Sequence, residues 1–126
     1  LFITLGYNDL IYKLSLEENL TNTSFHKIVK NIQDDYEDVI TEIRKYYKKE
    51  IIVLGYYSST KEDYYLNKGI KEINNILKSN SEVIYIDTYD LLRDKSKYFS
   101  NPNSYYPNIE GYQCIANKII QQTLAK

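Results

Sequence analysis

Residues Ile51-Ile52-Val53-Leu54-Gly55 form an unbroken apolar run closed by a glycine. Runs of this kind, with no polar alternation, mark strands covered on both faces, as in parallel sheets. Upstream, Phe25, Ile28, Val29, Ile32, Tyr36, Val39, Ile40, Ile43 and Tyr47 recur at i, i+3, i+4 and i+7. With Asp34, Asp35, Glu37 and Asp38 on the opposite face, the spacing predicts a long amphipathic helix from Ser24 to Lys48, about 36 Å long at ~1.5 Å per residue. Thr21-Asn22-Thr23-Ser24 supplies N-cap chemistry, and Lys45, Lys48 and Lys49 suit the negative end of the helix dipole.

Downstream, Ser58, Ser59 and Thr60 introduce a second helix, with Asp63 placed three residues after Thr60 as in a capping box. Leu66, Ile70, Ile73, Ile76 and Leu77 mark its inner face. Val83-Ile84-Tyr85-Ile86 reads as the next buried strand. Asp87 to Tyr106 is polar and irregular. A last helix is expected from Ile109 to Leu124, with Tyr112, Ile115, Ala116, Ile119, Ile120 and Thr123 turned inward. At the start, Leu1-Phe2-Ile3-Thr4-Leu5 reads as the middle of a buried strand ended by Gly6, and Asp9 to Leu20 as a short helix or an ordered loop. Strands alternating with amphipathic helices imply an α/β domain with a parallel sheet and right-handed crossovers. Three strands make a thin sheet, and the first would have an open side, which is a pairing hazard.

A length of 126 residues argues for one domain. The apolar content of 43% and charged content of 26% are those of an ordinary globular chain. The net charge of −1 argues against a nucleic-acid or anionic-membrane surface, which needs a basic excess. No apolar stretch approaches the ~20 residues of a membrane span. No signal peptide is visible. The lone Cys114 excludes an internal disulfide, and its helical spacing between Tyr112 and Ile115 fits a small half-buried packing residue. No histidine pair or cysteine cluster has metal-site spacing, and no cofactor is expected. The chain begins at Leu1 and contains no methionine, so it is expected to be trimmed or a piece of a longer one.

Two motifs stand outside this frame. Gly6-Tyr7-Asn8-Asp9 closes the first apolar run, and Asn103-Ser104-Tyr105-Tyr106-Pro107-Asn108-Ile109-Glu110-Gly111-Tyr112 leads into the last helix. In this order they resemble the SGNH/GDSL esterase–lipase (acylhydrolase) family. There, Gly-x-Asn-Asp supplies an oxyanion-hole asparagine, and Asp-x-x-His-Pro-(Asn)-x-x-Gly-Tyr supplies the catalytic Asp and His. The resemblance implies the three-layer α/β/α, flavodoxin-like fold of that family over residues 1–126, as a single partial domain lacking its first strands. It makes Asn8 the oxyanion position, Asn103 the Asp position and Tyr106 the His position. It further implies a bacterial and extracytoplasmic setting.

The departures bear on chemistry. A serine nucleophile needs a base whose pKa lies near the working pH, as imidazole's does. A phenol, ordinarily ionising near pH ~10, does not meet that need. An asparagine amide can orient an imidazolium but has no charge to stabilise it. The only histidine, His26, falls in the first turn of the long helix, where a surface position is expected. The family's Gly-Asp-Ser is absent, and Ser58, Ser59 and Ser104 lack that context, reading as loop and cap residues. By themselves Gly6 to Asp9 also read as a turn, with Asp9 capping the next helix. Pro107, Asn108, Gly111 and Tyr112 have structural readings as helix start, cap, close approach and packing residue.

Fifteen tyrosines are present, in pairs at 46–47, 56–57, 64–65 and 105–106. Together with Asn, Lys and Ile they fit an AT-rich coding sequence. An aromatic platform for a sugar or chain-like ligand is the alternative. Tyr56 and Tyr57 follow the second strand, and Tyr105 and Tyr106 border the expected site. With Gly6 and Tyr7 they are the expected pocket lining. Three functional readings follow. The first is a degenerate hydrolase-like domain without serine-esterase turnover, keeping a pocket for a small ester, acyl or carbohydrate-like group. The second is an active esterase whose serine lies in a further N-terminal segment. The third is an interaction module that pairs its open sheet edge with itself or a second chain.

Overall fold

A computed structural model describes residues 1–4, 7–16, 19–58, 64–92, 96–100 and 106–124. Among these residues, three short strands, β1 (Phe2–Ile3), β2 (Ile52–Leu54) and β3 (Ile84–Ile86), form a parallel sheet in the order β1-β2-β3. Phe2 pairs with Ile52 and Ile3 with Val53, while Ile52 pairs with Ile84 and Leu54 with Ile86. Four helices accompany them: α1 (Tyr7–Ser15), α2 (Asn22–Tyr46), α3 (Tyr64–Ser79) and α4 (Ile109–Leu124). A short 3-10 turn at Ser96–Tyr98 precedes α4.

The expected parallel α/β architecture is observed. Because successive side chains of a strand point to opposite faces, β2 divides the interior in two. Val53 joins a large cluster with Leu10 of α1, Phe25, Ile28, Ile32 and Ile40 of α2, and Leu66, Ile70, Ile73 and Leu77 of α3. Leu54, its neighbour, joins a smaller cluster of Leu92, Phe99 and Ile115 of α4 on the other face. Full burial of each such side chain contributes about 1.5–3 kcal/mol, so the first face holds most of the stability. Arg44 braces the far end of α2. Its guanidinium donates to the Lys49 carbonyl at 2.6 Å, to the Glu82 carbonyl at 2.8 Å and to the Glu82 carboxylate at 2.9 Å, tying α2 to the loop that feeds β3.

Helix α2 starts as its sequence asks. Thr21 accepts from the backbone of Ser24 at 3.1 Å, and the Ser24 hydroxyl accepts from the backbone of Thr21 at 2.9 Å, a reciprocal capping box. Helix α4 is capped by Asn108, whose side-chain oxygen accepts from the Gly111 backbone at 3.0 Å. A Cβ on Gly111 would lie 2.7 Å from the Tyr98 carbonyl oxygen, so only glycine permits this approach of α4 to the 3-10 turn. The proposed capping pair Thr60 and Asp63 lies outside the described residues.

Four expectations need correction. Residues 7–9 are not a turn but the first turn of α1. Leu1 and Phe2 are not buried. Phe2 is 51% exposed, because among the described residues β1 is bonded only on its β2 side. Of the residues expected to turn inward on α4, only Ile115 is buried, while Tyr112 and Ile120 are each 52% exposed and Ala116 is exposed too. The smaller cluster is too narrow to cover a whole helical stripe, so α4 rests on it by one edge. Val39 of α2 is likewise more exposed than its spacing implied.

Candidate functional site

Binding sites of open parallel sheets lie beyond the carboxyl ends of the strands. A cleft of about 440 Å³ occupies that place here. Thr4 continues from β1 and Leu54-Gly55 from β2 to form its floor. Tyr7, Asn8 and Asp9 enter from the first turn of α1, Tyr56 and Tyr57 from the loop after β2, and Tyr106, Tyr112 and Ile115 from the start of α4 and the loop before it. A Cβ on Gly55 would meet the hydroxyl end of Tyr85 reaching across from β3, so that ring would have to shift.

The two motifs meet across this cleft. The Tyr106 hydroxyl donates to the Oδ1 of Asn8, joining residues 98 apart in sequence. That bond uses the oxygen of the amide, so the Nδ2 hydrogens are the ones the side chain can offer to a carbonyl oxygen. Tyr7 forms the centre of an aromatic wall. Its ring centroid is 5.5 Å from that of Tyr56, 5.3 Å from Tyr57 and 6.2 Å from Tyr106, in edge-on or tilted arrangements. Tyr57 leans in turn on Phe99 at 6.3 Å. Such pairs are worth about 0.5–1.5 kcal/mol each beyond their burial, enough to hold the wall in one shape.

Burial pushes the Tyr56 phenol well above its ordinary range, with the Asp9 carboxylate adding to it. Burial also pushes up Tyr57, reinforced by Tyr7, Tyr112 and Tyr106. Both phenols therefore stay protonated at neutral pH, so neither is a base. His26 is exposed in the first turn of α2 and does not line the cleft. Among the described residues, no group of three or more His, Cys, Asp or Glu side chains is placed to hold a metal ion. No described helix is long and apolar enough to cross a membrane. The cleft can thus present aromatic faces and the Asn8 amide hydrogens to a small group.

Of the residues singled out from sequence, Tyr7, Asn8, Tyr56, Tyr57 and Tyr106 come together here. Gly6, Asn103 and Tyr105 lie outside the described residues. Thr4, Asp9, Leu54, Tyr112 and Ile115 also line the cleft, and sequence reasoning gave them other roles or none. Asn74 was missed altogether. It is buried on the inner face of α3, donates to the Tyr56 carbonyl at 3.0 Å and accepts from the Tyr56 backbone N–H at 2.7 Å. The available signal was an asparagine next to Ile73 on an otherwise apolar face.

The whole described fold has a counterpart among solved structures. It matches the crystal structure of the lipase Lip_vut3 from a goat rumen metagenome with a TM-score of 0.78 and 22% sequence identity, over 95% of this chain. The fold is therefore lipase-like. The match covers 61% of the lipase, so this chain spans less than two thirds of that protein's length. No protein-family model matches the sequence, and no curated protein matches it.

Proposed function

We propose that this chain is a degenerate SGNH/GDSL-like hydrolase domain that binds a small ester, acyl or carbohydrate-like group in its tyrosine-lined cleft without turning it over as a serine esterase. The observation that carries this reading is the bond between Tyr106 and Asn8. The two motifs behind the family resemblance are far apart in sequence, and their key side chains touch. The lipase-like fold supports the same reading. Asn8 keeps an amide at the oxyanion position, where such a donor stabilises developing charge. Tyr106 stands where the family has its base, and a phenol there donates a hydrogen bond instead of accepting a proton from a serine.

Incubation of the purified chain with an aryl acetate tests the catalytic half. Hydrolysis at the rate of buffer alone is expected. Turnover abolished by a serine-directed phosphonate would overturn the proposal. Titration with a non-hydrolysable ester analogue and a simple sugar, followed by amide chemical shifts, tests the binding half. Shifts centred on Asn8, Tyr57 and Tyr106 are expected, and shifts scattered over the surface would count against it.

A second reading is favoured by β1, where Leu1 and Phe2 are half exposed on a strand bonded to β2 alone among the described residues. Such an edge can take a further strand from another copy or another chain. Light scattering across a concentration series checks this, and a monomer at every concentration would argue against self-pairing.

A further inference from the structure

We propose that a crevice between α2 and α3, separate from the cleft, binds a long-lived internal water that bridges the hydroxyls of Tyr36 and Tyr56. The crevice measures about 50 Å³. A buried water needs only about 10–15 Å³ of space for its centre, so the crevice has room for one. Its depth is walled by the apolar side chains of Ile32, Ile73 and Leu77. Into it come two tyrosines that are almost wholly buried, Tyr36 at 3% and Tyr56 at 4% exposure. Neither hydroxyl has an acceptor for its own proton among the described residues, although the Tyr7 backbone lies close enough to donate to the Tyr56 oxygen. Buried hydroxyls are nearly always paired, and two protons without an acceptor on one small cavity are the pattern that an ordered water resolves.

The chemistry closes. Burial keeps both phenols protonated, raising Tyr36 to about 12 and raising Tyr56 too, while a hydrogen bond from the Tyr7 backbone pulls Tyr56 the other way. Each phenol can donate to the same water oxygen. The water's own hydrogens then need acceptors, and the Asp9 carboxylate lines the same crevice. That makes three polar partners, the usual number for an internal water. Tyr56 and Asp9 also line the cleft beyond β2. The water would therefore brace the back of the wall whose front is Tyr7. The inference rests on the crevice alone and stands whatever the cleft binds.

A crystal structure of the chain at high resolution, paired with water-to-protein cross-relaxation in solution, tests it. The expected result is one density peak within about 3 Å of both hydroxyl oxygens and a water signal transferred to both tyrosine rings. Tyr36→Phe is expected to abolish the peak and the transfer to Tyr56, with a circular dichroism melt confirming that the variant folds. Wild-type density without a peak, hydroxyls that donate directly to protein acceptors, or a transfer signal that survives in Tyr36→Phe would each overturn the proposal. The wild-type measurements decide the matter even if that variant fails to fold.

Discussion

Asn74 of α3 holds the backbone of Tyr56 from both sides, accepting from its N–H at 2.7 Å and donating to its carbonyl at 3.0 Å, both bonds buried. Beyond β2 the chain leaves the sheet ladder, and its backbone groups need new partners. One side chain supplies both. The loop that carries Tyr56 and Tyr57 is thereby anchored to α3, and the aromatic wall inherits that rigidity.

Asn74→Ala should therefore cost more than an ordinary polar substitution. It strands a buried donor and a buried acceptor, at about 1–3 kcal/mol each. A loss of about 2–6 kcal/mol in urea-induced unfolding is expected. A loss below about 1 kcal/mol would mean that the Tyr56 backbone finds other partners.

The contact between Tyr106 and Asn8 is solvent-exposed, so its worth is small. Tyr106→Phe and Asn8→Ala should each destabilise by about 1 kcal/mol or less, with a coupling of about 0.5–1 kcal/mol in a double-mutant cycle. Zero coupling would show that the two side chains do not meet in solution.

On the proposed reading, Tyr106→His would put an imidazole at the position of the base. No gain in aryl-acetate hydrolysis is expected, because the sequence has no Gly-Asp-Ser nucleophile for it to activate. A saturable rate above wild type would show that a serine of this chain can be recruited.

Gly111→Ala presses a methyl group against the Tyr98 carbonyl and the ring of Pro107. Overpacking of this kind costs about 1–3 kcal/mol. Since α4 rests on the smaller cluster only, the strain should appear as faster amide hydrogen exchange confined to α4 and the 3-10 turn. Faster exchange spread through α2 and α3 would contradict the division of the core by β2.

Tyr36 and Tyr85 are raised by burial from 10 to about 12. In the unfolded chain both lose their protons near pH 10, while the folded chain keeps them. Between those values the native state binds more protons, so stability falls as pH rises. These groups should leave stability level below about pH 9 and erode it from about pH 10 to 12. Near-ultraviolet phenolate absorbance recorded beside circular dichroism checks this. Full titration of every tyrosine before any loss of structure would refute it.

Much of the architecture was legible because it depends on local periodicity. The 3.6-residue repeat of α2 and the apolar runs of β2 and β3 require burial whatever their neighbours, and the structure places them within a few residues of expectation. The caps were legible for the same reason: Thr21 and Asn108 act on backbone groups within three residues. The first strand and α4 misled because their patterns state that a face is apolar, not that something covers it. Phe2 and Tyr112 have the sequence look of core residues, yet each lies half in solvent.

The sequence by itself determined the alternation of strands and helices, and it named Asn8 and Tyr106 as residues worth placing together. Only the tertiary structure decided that they touch, that Asn74 pins the wall behind them, and that Tyr36 and Tyr56 bring their hydroxyls to one crevice. The physical reason is range. Helix and strand patterns arise from neighbours a few residues apart, whereas these contacts join residues 18 to 98 apart. They exist only once the sheet has brought distant turns to the same end.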